Sequence, residues 1–231
     1  MQVTLARRVT AEGLGTALLV AAVVGSGIMA QRLAGPDVAL TLLANTIATG
    51  GALIALILTF GPISGAHFNP IVTLWAAVNR ELSARDAAAY LAAQVAGAVV
   101  GAVLANEMFG LAAITYATTA RDTTPLLVSE TIATFGLLGV VISTSARRPS
   151  LTPFAVAAYI VAAYWFTSST SFANPAVTVG RALTDTFTGI RPADVPGFIA
   201  AQLVGGGAAA ITFRWLHAGL PTTDRPGART S

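Results

Sequence analysis

Gly65-Ala66-His67-Phe68-Asn69-Pro70-Ile71-Val72-Thr73-Leu74 and Phe172-Ala173-Asn174-Pro175-Ala176-Val177-Thr178-Val179 decide how this chain is read. Each holds an Asn-Pro pair at the head of a short apolar stretch. Asparagine is a preferred helix N-cap, and proline is pre-organised for the first helical position. Each pair therefore predicts a helix start. Polar residues return at Asn79-Arg80 and Gly180-Arg181, so the helices run over about 69–79 and 174–184. A stretch that short cannot cross a bilayer that needs roughly twenty residues. Two half-helices inside a membrane, each with bare amides at a capped end, make a site for a polar solute and point to a pore.

The rest of the chain supplies the membrane protein around them. Of its 231 residues, 55% are hydrophobic and only 10% charged, against about 25% charged in an ordinary soluble domain. Six stretches are long enough to cross, roughly 9–31, 38–60, 86–106, 126–146, 151–168 and 195–216. The run after Arg7-Arg8 is long for a signal peptide and no polar domain follows it, so it reads as the first span. Small-residue spacings such as Gly97-x-x-x-Gly101 and Gly205-Gly206-Gly207 suit close helix contacts. Cysteine is absent, which excludes disulfides, thiol nucleophiles and zinc-thiolate sites. Two histidines, His67 and His217, do not make a conventional metal site. No metal or cofactor is expected, nor an enzyme, since no span gathers a nucleophile, a base and an orienting group.

Arginine carries the whole basic charge. With both termini cytoplasmic, Arg7, Arg8, Arg80, Arg85, Arg147, Arg148, Arg214, Arg225 and Arg229 fall inside, and Arg32, Arg121, Arg181 and Arg191 outside. That agrees with the positive-inside rule, and a topological role accounts for the basic balance without nucleic acid as a partner. Residues 219–231, rich in Pro, Thr and Arg, read as a disordered cytoplasmic tail.

The chain also repeats itself. Ala11-Glu12-Gly13-Leu14-Gly15-Thr16 is matched by Ser129-Glu130-Thr131-Ile132-Ala133-Thr134. Ala92-Ala93-Gln94-Val95-Ala96-Gly97 is matched by Ala200-Ala201-Gln202-Leu203-Val204-Gly205. The order Glu, Asn-Pro, Gln occurs twice, over about 1–107 and 126–218 of one channel domain. Three spans per repeat, an odd number, place the copies in opposite orientations, and inverted repeats put a site near the midplane where broken helices meet. Glu12 and Glu130 are carboxylates in apolar spans, where charge is expensive and usually functional; a proton relay is one reading of them.

Over nearly its whole length the sequence resembles the aquaporin, or major intrinsic protein, family. The resemblance rests on Ala11-Glu12, Ser64-Gly65-Ala66-His67-x-Asn69-Pro70, Ala93-Gln94, Glu130, Asn174-Pro175-Ala176 and Ala201-Gln202. It implies an all-α membrane protein with six transmembrane helices and two re-entrant half-helices, assembled as a homotetramer in the inner (plasma) membrane. Asn69 and Asn174 would donate to a passing oxygen. Glu12 and Glu130 would hold the half-helix loops by accepting backbone bonds, with His67 shaping the inner mouth.

The resemblance also exposes departures. Ile71 replaces the alanine of the first Asn-Pro-Ala, where the half-helices would touch. Val177 stands where typical members carry an arginine. Counting along the family pattern places the other constriction residues at Thr49, Ala162 and Ser171. That ring is small and uncharged, so the narrowest point should be wide and lack the cation that helps reject positive ions. Arg181, one helical turn beyond Val177, offers a partial substitute. Such a ring resembles the bacterial subgroup associated with arsenical efflux. The implied function is a passive channel for small uncharged solutes, polyol-like or metalloid species such as arsenite and methylated arsenicals. The alternatives are a water/glycerol channel and, from another class, a proton-coupled transporter or a structural membrane protein.

Overall fold

The computed structural model describes residues 3–219, and the expected tail beyond that point lies outside the described residues. Eight α-helices make up most of it: α1 (Leu5–Ala34), α2 (Val38–Ser64), α3 (Pro70–Val78), α4 (Ala84–Met108), α5 (Thr124–Ser145), α6 (Thr152–Phe166), α7 (Pro175–Arg181) and α8 (Val195–Leu216). Six are long and apolar enough to span a membrane, α6 and α8 counting the 3₁₀ turns that lead into them. The other two, α3 and α7, have 9 and 7 residues and reach only about 14 and 11 Å.

Helix α1 packs along α4 and α2, and α5 packs along α8 and α6 in the same way. The half-helices bind the two sets together: α7 lies against α4 and α1, α3 against α4, α8 and α5. Small residues make these seams possible. A methyl added at Gly97 would overlap the carbonyl oxygen of Gly13, one at Gly101 that of Ala17, and one at Gly205 that of Thr131. Gly97 on α4 and Gly205 on α8 each lie against a backbone carbonyl of the helix they pack on, α1 and α5.

Most element ends lie a few residues from the sequence expectation, and two of these differences have a clear local cause. Helix α2 continues through Pro62 to Ser64 and stops at Gly65, whose φ of 89° gives a left-handed cap. The proline discourages the residue before it from helix, but here it falls in the last turn. Helix α7 stops at Arg181 instead of near 184. The outer loop takes over the carbonyls that follow: Thr115 N donates to Leu183 O at 3.1 Å and Ala117 N to Ala182 O at 3.1 Å.

Candidate functional site

The segment before each half-helix is backbone under strain. Gly65, Ala66 and Phe68 have φ of 89°, 50° and 48°; Thr170, Ser171 and Ala173, their counterparts, have 62°, 48° and 46°. Left-handed conformations cost non-glycine residues roughly 1–2 kcal/mol each, so something must hold them. The buried glutamates do. Glu12 accepts from Ser64 Oγ (2.6 Å), His67 N (2.9 Å), Phe68 N (2.8 Å) and Gln94 Nε2 (2.8 Å). Glu130 accepts from Phe172 N (2.9 Å), Ala173 N (2.9 Å) and Gln202 Nε2 (2.7 Å). Each glutamine also donates to a half-helix threonine, Gln94 to Thr73 and Gln202 to Thr178, both at 2.9 Å. Each carboxylate thus supplies acceptors to loop N–H groups that have no partner within a helix.

The half-helices meet head to head. Asn69 Oδ1 caps Ile71 N at 2.9 Å, and Asn174 Oδ1 caps Ala176 N at 3.0 Å. Their amides cross between the repeats: Asn69 Nδ2 donates to Ala173 O at 2.8 Å and Asn174 Nδ2 to Phe68 O at 2.7 Å. Each side chain thus spends one amide hydrogen on the opposite loop, and the second has no partner among the described residues. Pro70, Pro175 and Ala176, next to these caps, are buried.

A cavity of about 300 Å³ runs past this junction. At one end lie Trp75, Glu81, Ser145 and Thr152; at the middle His67, Asn69 and Asn174; at the other end Ser171, Val177 and Arg181. His67 Nδ1 lies 3.1 Å from Thr73 Oγ1, so its ring is tied to the start of α3.

The structure corrects the expected constriction. Thr49, Ser171 and Val177 line the cavity, but Ala162 does not: it is exposed on the outside of α6. The cavity-facing stripe of that helix is Val156, Ile160 and Tyr164, spaced four residues apart as one helix face requires. Ala162, two residues from Ile160, points the other way. Tyr164 brings a bulky ring, and its hydroxyl sits 3.3 Å from Thr49 Oγ1. Nor is the wall uncharged, because Arg181 lines it while only 2% exposed. Thr49, Tyr164, Ser171, Val177 and Arg181 thus line this cavity together, and Ala162 does not. The period of α6 was available in the sequence as Val156, Ile160 and Tyr164, and was obscured by counting back from Asn174 across the bent segment 167–173. Ile71 is likewise absent from the conduit wall. It packs with Leu138, Ile142 and Ala209 of α5 and α8.

Two capped half-helices joined by reciprocal amide bonds, in a frame of six spans, match one family. The major intrinsic protein family model matches residues 1–167. The chain belongs to the major intrinsic protein family. It is 52% identical over 212 residues to "Aquaglyceroporin AqpS" of Rhizobium meliloti (strain 1021), covering 92% of this chain and 91% of that protein. It is 33% identical over 232 residues to "Aquaporin NIP1-3" of Oryza sativa subsp. japonica, covering 97% and 77%. Among solved structures, the aquaglyceroporin from Plasmodium falciparum superposes with a TM-score of 0.68 at 19% identity, over 94% of this chain and 97% of that one, a likeness of fold. This member of the family is a multi-pass membrane protein and a passive channel for small neutral solutes, not an enzyme.

Proposed function

We propose that this chain conducts water and glycerol-sized polyols as a single channel unit with two inverted repeats, about 1–107 and 126–218. In this reading both termini are cytoplasmic, the membrane is the plasma membrane, and four copies assemble with lipid around them. Asn69 and Asn174 donate to solute hydroxyls, Glu12 and Glu130 hold the loops, and Thr49, Ser171 and Val177 belong to the selectivity collar. The observation that carries the reading is the mixed wall of that collar. Tyr164 and Thr49 offer hydroxyls on one hand, while Leu19, Val23, Leu53, Ile160 and Val177 keep much of the rest apolar. A polyol has one hydroxylated edge and one hydrocarbon edge, and such a wall serves both. The 52% identical relative is called an aquaglyceroporin, which supports the same solute class.

Val177 favours a second reading. An apolar side chain after Asn174-Pro175-Ala176 would accept a methyl group, so neutral arsenite and methylated arsenicals belong in the test. Light scattering from proteoliposomes should show water and glycerol entering well above protein-free vesicles. If arsenite and a methylated arsenical enter and glycerol does not, the second reading replaces the first. If none of these solutes enters faster than through lipid, both fail.

A further inference from the structure

Arg181 is a cation with no carboxylate partner. The ion pairs among the described residues are Arg8–Asp86, Arg191–Asp122 and Arg191–Asp194. Arg181 joins none. Its Nε donates to Thr188 O, and its guanidinium carbon lies 3.3 Å from the centroid of the buried Phe172 ring. The terminal nitrogens bond to no described residue and are not sealed from the cavity that Arg181 lines. One side of the guanidinium is therefore anchored and the other is open to the solute path.

A second arginine adds to the same field. Arg121, from the loop between α4 and α5, lies 5.0 Å from the Phe172 centroid and donates to Gly189 O (2.9 Å) and Ser169 O (3.2 Å). The acids nearby are occupied elsewhere. Asp185 accepts from Thr118, and Asp194 from Arg191 and the Arg121 backbone. Glu130 bonds the Phe172 and Ala173 amides, and against the two arginines it leaves one positive charge in surplus. In a narrow, poorly hydrated conduit, charge interactions are screened far less than in water.

We infer that Arg181, clamped on Phe172 and one turn from Val177, is the fixed charge that keeps this channel closed to cations. It is a specificity residue supplied from a different position than the Asn-Pro-Ala motif would suggest. The inference rests only on the chain being a channel and is independent of which polyol passes.

Purified protein in planar bilayers in KCl, paired with water flux in proteoliposomes, tests it. Wild type should pass water with no conductance above lipid. In Arg181→Gln, K⁺ conductance should rise about tenfold or more because a rejecting charge is gone, and measurable water flux shows that the variant is folded. Arg181→Lys should stay tight. Should Arg181→Gln not fold, Val177→Glu places an opposing charge one turn away without touching the arginine's anchors, and it should leak where Val177→Gln does not. A water-conducting Arg181→Gln as tight as wild type, a lysine variant as leaky as glutamine, or equal tightness of the two Val177 variants overturns the assignment. Failure of wild type to pass glycerol would strike the polyol reading and leave this one standing on K⁺ and water alone.

Discussion

Val177 and Arg181 stand one turn apart on α7, and both line the cavity. A cation exactly at the apolar position would crowd a site already holding a guanidinium and the Tyr164 ring. Val177→Arg should therefore cut glycerol flux by about tenfold while lowering water flux far less, since a larger solute meets a narrower collar; equal loss of both in stopped-flow scattering counts against Val177 as a collar residue. Some of this was legible from single residues. Asn69 and Asn174 declare themselves because capping is local: an asparagine before a proline says what the next turn will do. Tyr164 did not, because which face of α6 meets the cavity depends on how α6 packs on α2 and α5, and a count along the chain carries no face. Arg181 was visible as a charge, but its burial follows from Phe172, which reaches it through the strained loop.

The elements are held by buried carboxylates and by missing side chains. Glu130→Gln puts an N–H₂ where two backbone amides need acceptors, leaving at least one buried donor unpaired. A loss of about 2–4 kcal/mol is expected, read as an earlier loss of helical signal on heating in detergent, together with reduced water flux. Retained stability with flux that loses a dependence on a pH gradient would instead mark Glu130 as a proton carrier. Glycines offer a matched pair on α8. Gly205→Ala drives a methyl into the Thr131 carbonyl and should destabilise by about 1–3 kcal/mol. Gly207→Ala meets nothing within 4 Å and should be neutral or add up to about 1 kcal/mol from helix propensity. Thermal melting of the two variants separates a packed seam from a merely glycine-rich helix. The number and order of the helices could be read from apolar lengths and the two Asn-Pro pairs. Their ends could not be read as well. Helix α2 outran Pro62 because Gly65 caps it, and α7 fell short of 184 because a distant loop claimed the carbonyls of Ala182 and Leu183.

For the whole molecule, the doubled pattern of Glu, Asn-Pro and Gln was enough to imply opposed halves. In the structure Gln94 and Gln202 each reach a glutamate and a threonine, while Glu12 alone also takes a serine hydroxyl. Glu12 and Glu130 are committed to loop amides and to Gln94 and Gln202, so neither buried glutamate is free to carry protons with the solute. Glycerol entry should therefore be the same with and without an imposed pH gradient, a comparison made with one batch of vesicles and a pH-jump mixer. The central claim, that the joined half-helices frame an open passage for glycerol-sized solutes, is tested most directly by glycerol reswelling of proteoliposomes by stopped-flow as a function of temperature. The account predicts fast entry with an activation energy well below that of protein-free liposomes. Entry no faster than through lipid, with the same steep temperature dependence, would contradict it.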